Sequence, residues 1–102
     1  MQPGNGNAAT ERWLLRIRGR VQGVGFREAC VRHAQKAGIK GWVRNRSDGS
    51  VEATLEGPPD AVAAMSAWLR DGVPGALVTT LEATQLTPPW PALDRFERLT
   101  TL

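Results

Sequence analysis

The chain has 102 residues, enough for one domain with its own buried core and too few for the multidomain architectures of larger enzymes. Thirteen Lys and Arg against ten Asp and Glu give a formal charge of +3, a mild excess that suits small anionic substrates and does not by itself indicate nucleic acid. One cysteine and one histidine exclude an intrachain disulfide and a zinc site of the usual ligand count, so a reducing, cytoplasmic setting is expected.

Residues 1–10 are small, polar and rich in Gly and Asn, which predicts a flexible leader ahead of a single domain at 11–102. They have neither the basic start nor the apolar middle of a signal peptide, and no stretch of the chain has the apolar length of a membrane span. Trp13, Leu15 and Ile17 occupy every second position, which predicts a strand with one buried face.

The next segment, 19–27, contains three glycines and reads Gly-Arg-Val-Gln-Gly-Val-Gly-Phe-Arg. An apolar stripe from Phe26 to Ala37 predicts a helix that starts at this loop and ends at Gly38. Glycines let backbone N–H groups turn inward, and a helix N-terminus adds unpaired N–H groups and the positive end of its dipole. With Arg27, whose guanidinium can bind phosphate oxygens two at a time, the segment predicts an anion-binding loop. No Gly-Lys-Ser/Thr follows the glycines, so a nucleotide-binding P-loop is not indicated.

Two strand-like runs, 39–46 and 50–56, flank Asp48-Gly49, a dipeptide typical of tight hairpin turns because both positions can adopt positive φ. Apolar and polar residues alternate in the second run, so we expect one buried face and a solvated Glu52 on the other. The arginines of the predicted strands are likewise expected on solvated faces; they are Arg16, Arg18, Arg44 and Arg46.

The segment Gly57-Pro58-Pro59-Asp60 ends the second run and leads into a second predicted helix. Asp60 suits the first turn of this helix, and Val62, Met65 and Leu69 form its apolar stripe. Strand-like runs follow at 77–87 and 96–99. The resulting βαββαβ order predicts an α+β fold in which two helices pack on one face of a mostly antiparallel sheet of four to five strands.

Two segments of the chain resemble the signatures of the acylphosphatase family. Residues 19–27 match the first signature, and 41–52, Gly-Trp-Val-Arg-Asn-Arg-Ser-Asp-Gly-Ser-Val-Glu, look like the second at the expected separation. The resemblance extends in spacing over 13–99 and implies a ferredoxin-like sandwich that hydrolyses the carboxyl–phosphate bond of small acyl phosphates without metal or cofactor. The chain departs from the family pattern at Cys30, where threonine is frequent, and at Arg98, where an apolar residue is expected; the latter leaves the register of the last strand open.

The same resemblance implies roles for individual residues. Arg27, which closes the first signature, is the phosphate binder, and Asn45 of the second orients the attacking water. The backbone amides of the loop would complete the phosphate site; its residues are Arg20, Val21, Gln22, Gly23 and Val24. Because the carboxylate of an acyl phosphate leaves readily, such a site needs positioning and charge stabilisation more than a general acid. His33 lies two helical turns beyond the loop, so we expect phosphate or solvent to accept the proton and the rate to vary little near neutral pH.

Other functions are compatible with parts of the pattern. An RNA-binding module can share the βαββαβ order, but it needs aromatic residues on exposed strands within a basic-aromatic signature, and the chain has no Tyr and two Phe outside any such signature. A carbamoyl-phosphate-handling domain of larger hydrogenase-maturation proteins is a third interpretation, and the lack of an attached zinc-finger or larger domain favours a free-standing enzyme. Cys30 and His33, three residues apart, could pair a thiolate with a base, but the apolar stripe through Cys30 favours buried packing. We therefore expect a monomer that binds neither nucleic acid nor membrane.

Overall fold

A computed structural model describes residues 10–102, so the predicted leader lies outside the described residues except for its last position. Residues 10–102 form two helices and five strands in the order predicted from the sequence, and the number of strands is the upper of the four to five expected. Their bounds are β1 Glu11–Arg20, α1 Phe26–Ala37, β2 Lys40–Asn45, β3 Val51–Gly57, α2 Pro59–Asp71, β4 Leu77–Leu86 and β5 Phe96–Arg98.

The five strands form one sheet in the order β4-β1-β3-β2-β5. Strand β1 is antiparallel to β3 and β4, β2 is antiparallel to β3, and only the β2–β5 pair is parallel. The helices bury one face of this sheet, as the apolar stripes predicted, which confirms the ferredoxin-like α+β fold. The core contains side chains of the sheet, of α1 and of α2; its most completely buried members include Leu15, Ile17, Leu55, Phe26, Cys30, Met65 and Leu69.

Local sequence explains where α1 ends and where α2 begins. Helix α1 ends at Gly38, whose φ of 72° is left-handed and whose N–H donates to the carbonyl of Ala34. Helix α2 begins with Pro59, a residue with no N–H to leave unpaired and a φ already suited to a helix. Among residues 10–102, no helix has both the length and the apolar character needed to cross a bilayer.

Three strands of the sheet have their C-terminal ends on the same side. Because β1, β2 and β5 run in the same direction, their last residues lie at the same end of the sheet. The loop after Arg20, which follows β1, is therefore at the same end as the last residues of β2 and β5. The register aligns Ile17 with Val51 and Val51 with Asn45, so the Asn45 side chain lies on the face that the helices cover.

The register of β5, left open by the sequence, follows from how Phe96 packs. Phe96 pairs with Gly41 and is 3 % exposed, while Arg98 pairs with Val43. Gly41 has a φ of 144°, and a Cβ there would lie 1.8 Å from the Thr54 carbonyl oxygen and 3.2 Å from the Phe96 ring. Glycine at this position therefore allows both the strand conformation and the close packing of Phe96.

Two local expectations for the hairpin were wrong. Strand β3 is buried on both faces, with Glu52 only 6 % exposed, because it is the central strand and arginine side chains cover its outer face. In the turn, only Gly49 adopts positive φ, at 92°, and the N–H of Gly49 donates to the Arg46 carbonyl. Asp48 keeps negative φ and instead accepts hydrogen bonds from the N–H and hydroxyl of Ser50.

Candidate active site

The loop between β1 and α1 has the backbone of an anion-binding site. Gly23 and Gly25 adopt left-handed φ values of 74° and 78°, and Gly25 is the N-cap of α1 without any side-chain cap. A Cβ at either glycine would meet nothing within 4 Å, so the requirement for glycine is conformational rather than steric. Left-handed residues at a helix N-terminus allow successive N–H groups to face one anion, and the helix dipole favours that anion.

A cavity of about 90 Å³ lies between this loop and the ends of β2 and β5. It is far smaller than the roughly 300–1,000 Å³ of pockets for drug-sized ligands, and its size suits a small anionic group. Its lining residues are Val21, Gly23, Gly25, Phe26, Arg27, Glu28, Asn45 and Arg98.

The structure thus brings together the two residues predicted to act in catalysis, Arg27 and Asn45, although 18 positions separate them in the sequence. Of the five predicted loop residues, Val21 and Gly23 line the cavity, whereas the others do not. Glu28 and Arg98 also line it and were not predicted. Glu28 directly follows the first signature and could have been suspected from position alone, whereas Arg98 depends on the pairing of a distant strand.

Asn45 has an unsatisfied acceptor at this cavity. Its side-chain Oδ1 is buried and has no hydrogen-bond partner among residues 10–102. Its backbone is held on both sides, by pairing with Val51 and by the N–H of Leu102, which donates to the Asn45 carbonyl at 3.1 Å. A buried acceptor without a partner costs about 1–3 kcal/mol, so its presence at a cavity marks a position for a donor such as water.

Arg27 is partly buried, and none of the ion pairs found within residues 10–102 includes it. The neighbouring Glu28 pairs instead with Arg98 at 3.2 Å and more loosely with Arg32 at 3.9 Å. Two arginines and one glutamate line the cavity, which leaves one positive charge in excess. The electrostatics therefore favour an anion next to Arg27.

Gln22 connects the loop to the β2–β3 hairpin. Its side-chain Nε2 donates to the carbonyls of Arg46 and Ser50 at 2.8 and 2.9 Å. These carbonyls belong to the turn that directly follows Asn45. Gln22 thus fixes the distance between the loop and the strand end, a role that the sequence did not reveal because 24 and 28 residues separate the partners.

Glu52 is the centre of a charged cluster on the other face of the sheet. Its carboxylate accepts from Arg44 Nε at 2.9 Å, Arg46 Nη1 at 3.2 Å and Arg16 Nη2 at 3.3 Å. Burial raises the pKa of Glu52, but the hydrogen bonds from Arg44, Arg16 and Arg46 outweigh it and hold the pKa below its ordinary value. The expectation of a solvated Glu52 and simply solvated arginines was therefore wrong for this cluster, while Arg18, paired with Glu82, is exposed as expected.

The cysteine and the histidine lie away from the cavity. Cys30 is buried in the core, and burial raises the pKa of its thiol to about 12, which confirms the packing interpretation. His33 stacks on Trp68 with ring centres 4.2 Å apart, in a groove between the helices. Within the described part of the chain, no three His, Cys, Asp or Glu side chains are grouped closely enough to hold a metal ion.

Comparison with known proteins shows similarity over nearly the whole described domain. The family model described as Acylphosphatase matches residues 13–97. "Acylphosphatase 1" of Ralstonia nicotianae is 57 % identical over 89 residues, which are 87 % of this chain and 87 % of that protein. The crystal structure of acylphosphatase from Bacillus subtilis superposes with a TM-score of 0.82 at 35 % identity, covering 87 % of this chain and 98 % of the other. Full-length HypF in its phosphate- and nucleotide-bound form shares the fold, with a TM-score of 0.82 at 23 % identity over 91 % of this chain but only 12 % of HypF.

Proposed function

Because this chain belongs to the acylphosphatase family and is an acylphosphatase, we propose that the cavity between the Gly-rich loop and the end of β2 is its active site. In this proposal small acyl phosphates are hydrolysed there to a carboxylate and inorganic phosphate, without a metal or cofactor. The observation that supports it most directly is that Arg27 and Asn45, whose buried Oδ1 has no partner among residues 10–102, line one small cavity at the N-terminus of α1.

The phosphate group occupies the loop side of the cavity. Arg27 binds two of its oxygens through the guanidinium, and the backbone amides between Arg20 and Val24 bind the others. The left-handed glycines and the positive end of the α1 dipole support this assignment, since both favour a dianion at that place. A cation in the first turn of a helix opposes the dipole by about 0.3–1 kcal/mol, and a phosphate between the two removes that conflict.

Asn45 holds the attacking water. The carboxamide oxygen accepts a hydrogen bond from the water, and the amide NH₂ can donate to a phosphate oxygen while the side chain remains neutral. The burial of Oδ1 without a protein partner supports this role. A carboxylate at the same position would repel the substrate dianion.

In the proposed reaction the water oxygen forms a bond to phosphorus while the bond from phosphorus to the acyl oxygen breaks. The electron pair of that bond leaves with the carboxylate, a stable anion that needs no protonation by an acid. The water proton passes to the phosphate or to solvent, and the stacking of His33 on Trp68 outside the cavity supports a route that does not use it. Catalysis then consists of positioning and stabilisation of charge on the phosphoryl oxygens.

We further propose that residues 11–102 act as one acylphosphatase-like domain, monomeric and cytoplasmic, that binds neither nucleic acid nor membrane. The mild charge excess and the small size of the cavity lined by Arg27 and Asn45 support a small-molecule substrate. Size-exclusion chromatography with light scattering tests the monomer, and filter binding with single-stranded RNA tests the competing RNA-binding function.

Release of phosphate from benzoyl phosphate, measured with and without EDTA, tests the reaction itself. We expect saturable hydrolysis by the wild-type protein, unchanged by the chelator and competitively inhibited by inorganic phosphate. Absence of hydrolysis would refute the proposed function, and loss of the rate on chelation would refute the metal-free mechanism.

A further inference from the structure

Arg98 is a second arginine at the cavity that the proposed reaction does not use. It lies at the end of the edge strand β5, and its side chain lines the cavity with Arg27 and Asn45. The resemblance to the family implies an apolar residue here, and the pairing of Arg98 with Val43 places it on the helix-covered side of the sheet. The Arg98 side chain is nevertheless 49 % exposed, so it lies at the open rim of the cavity and not in the core.

The ion pair of Arg98 is easily exchanged. Arg98 Nη1 donates to Glu28 Oε1 at 3.2 Å, and the Glu28 side chain is 57 % exposed. Ion pairs between two such exposed side chains contribute little to stability, because each partner is nearly as well solvated alone. Glu28 also has Arg32 within 3.9 Å, so it keeps a cationic neighbour when Arg98 turns away.

The position of Arg98 favours the acyl end of a substrate over the phosphate. The proposed phosphate position lies against the loop and the α1 N-terminus, which already supply Arg27, the backbone amides and the helix dipole. Arg98 belongs to β5, the edge strand beside β2, and its half-exposed side chain reaches the cavity from the rim. The group that it holds in the structure is a carboxylate, that of Glu28, through a single hydrogen bond of 3.2 Å rather than the shorter, two-pronged contact that a guanidinium and a carboxylate form when both are free to align.

We propose that Arg98 forms a subsite for the acyl group, which selects acyl phosphates whose acyl portion has a carboxylate of its own. This inference rests on the proposed function, because it assumes that the phosphate binds at Arg27. In the free enzyme Glu28 occupies the guanidinium, and the substrate carboxylate replaces Glu28 on binding. Arg98 is thus a specificity residue that contacts the part of the substrate remote from phosphorus.

Benzoyl phosphate and its 3- and 4-carboxy derivatives form a matched test set. The ring holds the added carboxylate away from the phosphoryl group, so it cannot attack phosphorus and produce a false rate. The quantity to compare is kcat/KM for the better carboxy isomer divided by kcat/KM for benzoyl phosphate. Electrostatic attraction by the net charge of the protein affects this ratio too, so a control of equal charge change is needed.

Arg98→Gln is the test variant and Arg95→Gln the control. Arg95 is 77 % exposed, pairs only loosely with Glu97 at 3.9 Å and does not line the cavity. We expect Arg98→Gln to lower the ratio about tenfold, mainly through KM, as for loss of one charged hydrogen-bonded pair. Arg95→Gln should leave the ratio within about twofold, since a remote exposed charge is largely screened. Arg98→Lys should fall between the wild type and Arg98→Gln because it keeps the charge and loses the planar fork.

An unchanged ratio in Arg98→Gln, or an equal fall in Arg95→Gln, would overturn the subsite while hydrolysis of benzoyl phosphate left the proposed function intact. A wild-type protein that hydrolyses none of the three compounds would instead refute the proposed function, and the subsite with it. Circular dichroism of both variants verifies that each remains folded, which the exposure of both side chains predicts.

Discussion

Replacing Gln22 should separate the phosphate loop from the strand end that positions Asn45. Both donors of the Gln22 amide are used, on the carbonyls of Arg46 and Ser50 at 2.8 and 2.9 Å. Gln22→Met keeps the length and shape of the side chain and removes both hydrogen bonds. The variant therefore tests the connection without creating a large cavity.

Two lost hydrogen bonds at about 0.5–1.5 kcal/mol each predict a loss of roughly 1–3 kcal/mol in the free energy of unfolding. For a domain of this size each kcal/mol corresponds to about 4–8 °C, so the melting temperature should fall by roughly 4–24 °C. The same substitution should also lower the catalytic rate, because Gln22 holds the phosphate loop at a fixed distance from Asn45. A displacement of about 1 Å between phosphate and attacking water can cost about 100-fold, so we expect kcat/KM for benzoyl phosphate to fall about 10- to 100-fold.

The two effects are measured separately. Thermal unfolding followed by circular dichroism gives the stability, and kcat/KM is measured at a temperature where the variant is fully folded. Gln35→Met is the matched control, since Gln35 is exposed on α1 and should change neither quantity. If folded Gln22→Met retained the wild-type kcat/KM, Gln22 would only stabilise the fold and would not position the site.

Three further predictions concern Glu52, Cys30 and His33. The folded-state pKa of Glu52 is lowered from its ordinary value of 4.5, so its contribution to stability is present above that pH and is lost as pH falls through the folded pKa. Glu52→Gln should therefore lower the free energy of unfolding in urea at pH 7 by about 3 kcal/mol, the lower end for removing one partner of a buried ion pair, and make stability depend less on pH in acid. An identical loss of stability with falling pH in both proteins would contradict this. With burial raising its pKa to about 12, Cys30 should resist iodoacetamide in the native protein and react in urea, and rapid native labelling would refute its burial. His33→Gln should leave kcat/KM unchanged, and a rate change in the wild type between about pH 6 and 8 that disappears in this variant would assign the proton transfer to His33.

The sequence predicted those features that depend on local pattern. Phe26 to Ala37 forms a helix as its apolar spacing indicated, and the two signatures identified Arg27 and Asn45 as a pair. The signatures also contain the glycines whose left-handed φ values shape the loop.

Features that depend on neighbours distant in sequence were not predicted. Alternation along β3 suggested a solvated Glu52, but strands β1 and β2 pair Arg16 and Arg44 directly with it, and their side chains cover it. Arg98 lies at the cavity because the three-residue strand β5 pairs in parallel with β2, and no local sequence pattern predicts that pairing. The Gln22 side-chain amide donates to backbone carbonyls, and every residue has such a carbonyl, so no sequence pattern marks these partners.

Single substitutions of Arg27 and Asn45 test whether these two residues carry out the hydrolysis. Hydrolysis of benzoyl phosphate should be compared for the wild type, Arg27→Ala, Asn45→Ala and the control Arg32→Ala, whose side chain is 70 % exposed on α1. We predict a loss of about 10³- to 10⁵-fold in kcat/KM for Arg27→Ala and about 10²- to 10³-fold in kcat for Asn45→Ala, with the control near the wild type. If folded Arg27→Ala and Asn45→Ala proteins hydrolysed benzoyl phosphate at rates within a few-fold of the wild type, neither residue would have the proposed role in catalysis.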